Sequence, residues 1–153
     1  MSGIVNSTVF VVDDHLGVGL EIAHELVRVG VQRIGFVSRD AGAGDAAATE
    51  IFRSASGVWA LSASGDPDSP AEARRMVAEL SASLGEPDVL VEVSDAPTAV
   101  RAELLQAMRS IGQGIVVDVG SNDEHGSSSG GVAMYSVNGA ADAAKVVVAR
   151  LRS

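Results

Sequence analysis

Five short apolar runs, each followed by a stretch of helical periodicity, constrain this chain more than any other feature. Val9–Val12, Arg33–Val37, Val58–Ala63, Asp88–Val93 and Gly114–Val119 read as strands. Leu20, Ile22, Ala23, Leu26 and Val27 have the spacing of an amphipathic helix, which stops near Gly30. Ala46–Arg53 reads as a short helix. Ser69 is placed to cap the next helix, with Pro70 and Glu72 in its first turn, and Met76, Val77 and Leu80 carry it to Leu84. Ala96–Ile111 puts Val100, Leu104, Leu105 and Met108 on one face. Val132–Leu151, rich in Ala and Val, reads as a final helix. Asp40–Asp45, Gly65–Pro70 and Gly120–Gly131 are small, polar or glycine-rich and read as loops.

Strands that alternate with helices imply a parallel sheet covered on both faces. Right-handed crossovers leave few topologies. The expectation is one three-layer, Rossmann-like, doubly wound α/β domain spanning residues 1–153, with about five strands in the order 3-2-1-4-5. Aromatic residues make up only 3% of the 153. The core must therefore be Val, Leu, Ile and Ala, which suits strands buried on both faces.

The net charge of −9 sets the chain against phosphate backbones and anionic membranes, so neither nucleic acid nor membrane is expected as a partner. Lys145 is the single lysine. There is no cysteine, which excludes disulfides, thiolate metal sites and thiol nucleophiles. Met1–Ser7 has no basic region followed by an apolar run, and no run approaches the ~20 residues that cross a bilayer. A cytoplasmic location is the expectation.

In open α/β sheets, ligands sit beyond the carboxyl ends of the strands where strand order reverses. Here that is Val12–Gly19. Gly17 and Gly19 open the following helix, either to contact a dinucleotide or to let helix and strand pack closely. Arg39, after the second strand, would favour a 2′-phosphate or lie at the surface. Asp68 would lie near an adenine or cap a turn. Asp13, Asp14 and His15 raise the alternative of a receiver domain's acidic pocket. That pocket needs an acidic residue ending the third strand and a lysine ending the fifth, and this chain has neither there. His125 lies near Asp123 and Glu124, but no second histidine stands at ligand spacing, so no metal is expected. Ser127–Gly131 reads as a flexible loop.

In their order and spacing these segments resemble the short-chain dehydrogenase/reductase family over nearly the whole chain. Gly17-Val18-Gly19-Leu20-Glu21-Ile22-Ala23 resembles the family's Gly-Ile-Gly-x-x-Ile-Ala helix start. Ser38-Arg39-Asp40 resembles the end of its second strand. Asp68, the helix to Leu84 and Pro87-Asp88-Val89-Leu90-Val91 resemble its passage into the fourth strand. Ile115–Ser121 is similar to the strand ending on the catalytic serine. Ala133-Met134-Tyr135-Ser136, with Ala140-Ala141, is similar to the catalytic tyrosine region. The resemblance implies NAD(P) bound by Asp13, Gly17, Val18, Gly19, Arg39 and Asp68. It implies that Ser121 positions a carbonyl and Tyr135 transfers a proton.

The departures from the family pattern point the other way. Asp13 stands where the first glycine of Thr-Gly-x-x-x-Gly-x-Gly belongs, adding a negative charge beside the expected pyrophosphate. Like charges in a partly dry site repel by on the order of a kcal/mol or more. Glu92-Val93-Ser94-Asp95-Ala96 replaces Asn-Asn-Ala-Gly. Gly139 stands at the lysine of Tyr-x-x-x-Lys, and Lys145 would lie on another helix face and roughly two turns further on. Without that lysine a tyrosine is a poor acid or base at neutral pH. The family strands beyond the tyrosine helix have no counterpart here. The expectation is a catalytically degraded relative, a non-catalytic subunit or partner of an oxidoreductase system. The Val132–Leu151 helix would pair it with itself or with an active dehydrogenase, since broad apolar surface marks an interaction site. The alternative is an active NAD(P)H-dependent carbonyl reductase or alcohol dehydrogenase.

Overall fold

Thr8–Asp13 (β1) is buried along its whole length and lies inside the sheet, with a parallel neighbour on each side. The computed structural model describes residues 7–13, 17–93, 98–119, 125–129, 131–137 and 140–152. After β1 come α1 (Val18–Arg28), β2 (Arg33–Ser38), α2 (Ala41–Ser54), β3 (Trp59–Ser64), α3 (Pro70–Leu84), β4 (Val89–Val93), α4 (Ala99–Ile111) and β5 (Gly114–Val119). The order ends with β6 (His125–Ser129), β7 (Val132–Val137) and α5 (Ala140–Arg152).

The sheet runs β3-β2-β1-β4-β5-β7-β6. The expected order 3-2-1-4-5 stands, and two further strands extend it beyond β5. All neighbouring strands are parallel except the β6–β7 pair. Side chains alternate between two cores, as the two-residue period of a strand requires. On one face Val9, Val11, Val89, Val91 and Val117 meet α1, α2 and α5 through Ile22, Leu26, Ile51 and Val147. On the other, Phe10, Val12, Leu90 and Val116 meet α3 and α4 through Met76, Leu80, Leu104 and Met108. Val9 to Val12 of β1 are thus committed alternately to the two cores, and strand order reverses around the strand.

Local chemistry fixes the helix starts. Ser69 caps α3 with its hydroxyl accepting from the Glu72 amide, and Pro70 follows it, as the sequence implies. Helix α2 begins at Ala41, five residues before its expected start. Asp40 caps it by accepting from the Ala43 amide, and Gly44 lets the first turn lie close to Ser62 on β3. Helix α4 begins at Ala99 rather than Ala96, because Thr98 is its cap.

The end of the chain departs most from expectation. Val132–Val137 is a strand, not the start of a helix, and only Ala140–Arg152 is helical. Val132 and Met134 pack into the α3/α4 core, while Tyr135 and Val137 pack into the other. Burial on both sides of alternating side chains rewards β-branched and aromatic residues in a strand. His125–Ser129, expected in a loop, pairs antiparallel with β7 from His125↔Ser136 to Ser129↔Val132. Gly131 at the turn has φ of 83°, and a Cβ there would run into the Gly112 carbonyl at the end of α4. Gly131→Ala is therefore expected to lower stability by about 2 kcal/mol, read by chemical denaturation.

Candidate functional site

The carboxyl end of β1 is where a doubly wound sheet receives ligands. Asp13, the last residue of β1, points to the α1 side and is 4% exposed. Its Oδ2 accepts a hydrogen bond from the Gly19 amide at 2.8 Å. Gly19 is the second residue of α1. A Cβ there would lie 2.8 Å from Val11 Cγ1 and 2.9 Å from Asp13 Oδ2, so only glycine lets the helix approach β1 this closely. Gly17, the cap residue, makes no side-chain capping bond and has open space where a Cβ would stand. Val18 is half-exposed. The first-turn amides of a helix attract anions. Here a carboxylate of the chain itself bonds one of them.

Arg39 follows β2, as expected. Its guanidinium bonds Asp66 at 2.9 Å and Asp68 at 2.7 Å, tying the ends of β2 and β3 together. Asp68 also donates its amide to Asp66, within the turn that leads to α3. The structure therefore brings Arg39 and Asp68 together as an ion pair. All three side chains are about half-exposed, and such pairs contribute less than ~1 kcal/mol each.

A second group of charges lies on the α3/α4 side. Glu92 in β4 is fully buried. Its Oε2 accepts from the Thr98 hydroxyl at 2.5 Å and the Thr98 amide at 3.3 Å. Its Oε1 is buried without a hydrogen-bond partner, 3.9 Å from Arg101 Nη1. Arg101 Nη1 donates to both Asp118 oxygens, at 2.8 and 2.6 Å, and Asp118 is the β5 residue paired with Glu92. Burial raises the Glu92 carboxyl above the usual range, and Asp118 adds to this. The Thr98 bonds and Arg101 oppose it. This group was not singled out as a site from the sequence. Its signal was there: Val-Leu-Val-Glu-Val and Ile-Val-Val-Asp-Val each place one acid at the fourth position of an apolar strand.

Tyr135 sits in β7, opposite Val117 of β5, and packs toward α1 and α5. That corrects its expected placement on a helix. The Tyr-x-x-x-Lys pattern depends on one helical turn separating its members, and no such turn begins at Tyr135. Ser121, Gly139, Asp14, His15 and residues 94–97 lie outside the described residues, as do Asp123 and Glu124. Among the described residues no group of three or more His, Asp or Glu could hold a metal ion, and no helix is long and apolar enough to cross a membrane.

No protein-family model and no curated protein matches the chain. Solved structures do. A short-chain type dehydrogenase/reductase from Mycobacterium marinum matches at TM-score 0.64 and 21% identity over 76% of this chain and 56% of its own. L-Sorbose reductase from Gluconobacter frateurii, complexed with NADPH and L-sorbose, matches at TM-score 0.62 and 24% identity over 80% and 55%. A metagenomic short-chain oxidoreductase in complex with NADP matches at TM-score 0.72 and 17% identity over 98% and 92%. The chain spans little more than half the length of the first two. Its fold is that of the short-chain dehydrogenase/reductases.

Two outcomes follow from this geometry. Asp13→Ala leaves the Gly19 amide without its acceptor and is expected to lower stability by about 1–3 kcal/mol in urea titrations. Glu92 binds its proton more tightly folded than unfolded. Its stabilising contribution is complete below the ordinary value of 4.5 and is lost as pH rises through the higher folded-state midpoint. Glu92→Gln removes that loss. Denaturation across the acid-to-neutral range should show the variant gaining on the parent as pH rises.

Proposed function

We propose that this chain is a non-catalytic relative of the short-chain oxidoreductases, acting as a subunit or interaction partner in an oxidoreductase system. The observation that carries the reading is the Asp13 carboxylate bonded to the Gly19 amide at the start of α1. A pyrophosphate at that helix end would meet a buried carboxylate and would have to replace its hydrogen bond. The placement of Tyr135 within a strand, β7, supports the same reading.

For the surface that would meet a partner, a site other than the C-terminal helix is the better supported. Ala143, Ala144 and Val147 of α5 are buried, with Ala143 and Val147 in the core shared with α1 and the sheet, so these apolar side chains are used within the chain. Exposed apolar side chains gather instead at the opposite edge of the sheet. Phe52 and Trp59 have ring centroids 6.3 Å apart, and Leu61 also lies on β3. This patch is the better candidate for an interaction surface.

A second reading is an active NAD(P)H-dependent carbonyl reductase or alcohol dehydrogenase, with Tyr135 as acid/base and Ser121 as carbonyl donor. It is favoured by the structures of this fold that hold NADPH, NAD+ or NADP. In that case Gly17, Val18 and Gly19 would hold the pyrophosphate, with Arg39 and Asp68 near the adenosine half. The cofactor would supply hydride transfer.

Calorimetric titration of the chain with NADH and NADPH separates the two. The first reading expects no saturable heat with either. Saturable binding in the micromolar range would overturn it. Light scattering coupled to size exclusion tests self-association, and a strict monomer at all concentrations would leave only a different protein as partner.

A further inference from the structure

We propose that Glu92, Arg101 and Asp118 form a buried proton-binding site at the carboxyl ends of β4 and β5, in which one guanidinium is shared between two carboxyls and the start of α4 follows the site's proton. It stands apart from the Asp13 end of α1, because Glu92 and Asp13 point to opposite faces of the sheet.

The groups form a closed circuit. Glu92 Oε2 accepts from Thr98 Oγ1, and Thr98 Oγ1 accepts from the Arg101 amide at 3.4 Å. The Arg101 side chain donates to both oxygens of Asp118, and Asp118 is paired in register with Glu92. Among the described residues, Arg101 from α4 and Asp118 from β5 are the charged groups that act on Glu92. β1 presents Val12 at the paired position, and β7 presents Ser136 beside Asp118.

One cation cannot neutralise two carboxylates in this setting. The side chains of Arg101 and Asp118 are 14% and 27% exposed, while Glu92 is fully enclosed. The guanidinium lies on Asp118, so the excess negative charge would fall on Glu92, where no water reaches it. A proton on Glu92 removes that charge, and a neutral carboxyl whose Oε1 lacks a partner costs far less to bury than an ionised one. Loss of the proton leaves an anion 3.9 Å from Arg101 Nη1 and draws the guanidinium from Asp118 toward Oε1. Arg101 is the third residue of α4 and its amide is tied to the Thr98 cap, so the first turn registers the change. Burial, which favours the neutral carboxyl, supports this assignment of the proton.

The test is a carbon-detected titration of the side-chain carboxyls in the full chain, with backbone and arginine nitrogens followed in parallel. The proposal expects Glu92 to titrate above the other glutamates, and Thr98, Arg101 and Asp118 to shift with the same midpoint. Glu92→Gln should abolish that shared step. Asp118→Asn should lower the Glu92 midpoint by roughly one pH unit or more, because Arg101 then serves Glu92 alone. Glu92 titrating with the exposed glutamates overturns the proposal. So does a Glu92 titration that leaves Thr98 and Arg101 unmoved, or an Asp118→Asn protein whose Glu92 midpoint is unchanged. The first two readouts need only the parent chain, so a variant that fails to fold leaves the decision intact.

Discussion

The hydrogen bond from the Gly19 amide to the Asp13 carboxylate fixes the point around which this sheet is wound. β1 is the strand from which the order runs both ways, and α1 must leave it tightly enough to cover the core. Gly19 permits the approach and Asp13 secures it. The same device recurs once. Glu92 accepts from the Thr98 amide at the start of α4, again six residues after the strand-end acid. Two strand–loop–helix units are thus closed by a carboxyl group reaching forward to a helix start. Their registers differ by one residue: Asp13 pairs with Val93, and Val12 with Glu92. That single step sends the two acids to opposite faces of the sheet.

This arrangement sets the electrostatic character of the strand ends. In a dinucleotide-binding turn the helix start is left open to an external anion. Here both helix starts next to the reversal point receive acids of the chain itself. At the ends of β2 and β3, Arg39 is held by Asp66 and Asp68. The first three strands and their crossovers keep the doubly wound fold, while the charges at the strand ends are arranged to satisfy one another.

Much of the fold was legible because parallel strands buried on both faces leave unbroken apolar runs. Val9–Val12 and Gly114–Val119 are of this kind, and their order in the sheet followed from crossover handedness. What the periodicity could not separate was β7 from α5. Val132–Leu151 is apolar enough to satisfy either period, and the Ala-rich second half dominates the composition. The turn signals Gly130-Gly131 and Asn138-Gly139 bracket the six residues of β7 and were the better guide. β6 was hidden for a different reason: His-Gly-Ser-Ser-Ser has little strand preference of its own and is held by pairing with β7. At the site, Gly19 and Asp13 were visible as a motif position and a departure from it. The hydrogen bond between them was not, since a sequence does not show that a side chain in place of a glycine bonds the amide six residues on. Tyr135 shows the opposite hazard, a motif residue whose meaning depended on a helix that is not there.

The interior position of β1 carries a kinetic consequence. Its partners are β2, about 25 residues later, and β4, 80 residues later, as the register Val9↔Ile34 and Val9↔Val89 shows. During synthesis β1 can pair with β2 early, but its other edge stays unpaired until β4 has left the ribosome. Pairings so distant in sequence form slowly. An apolar, unpaired edge inside the future sheet is where a nascent chain of this topology is most exposed to association with its neighbours.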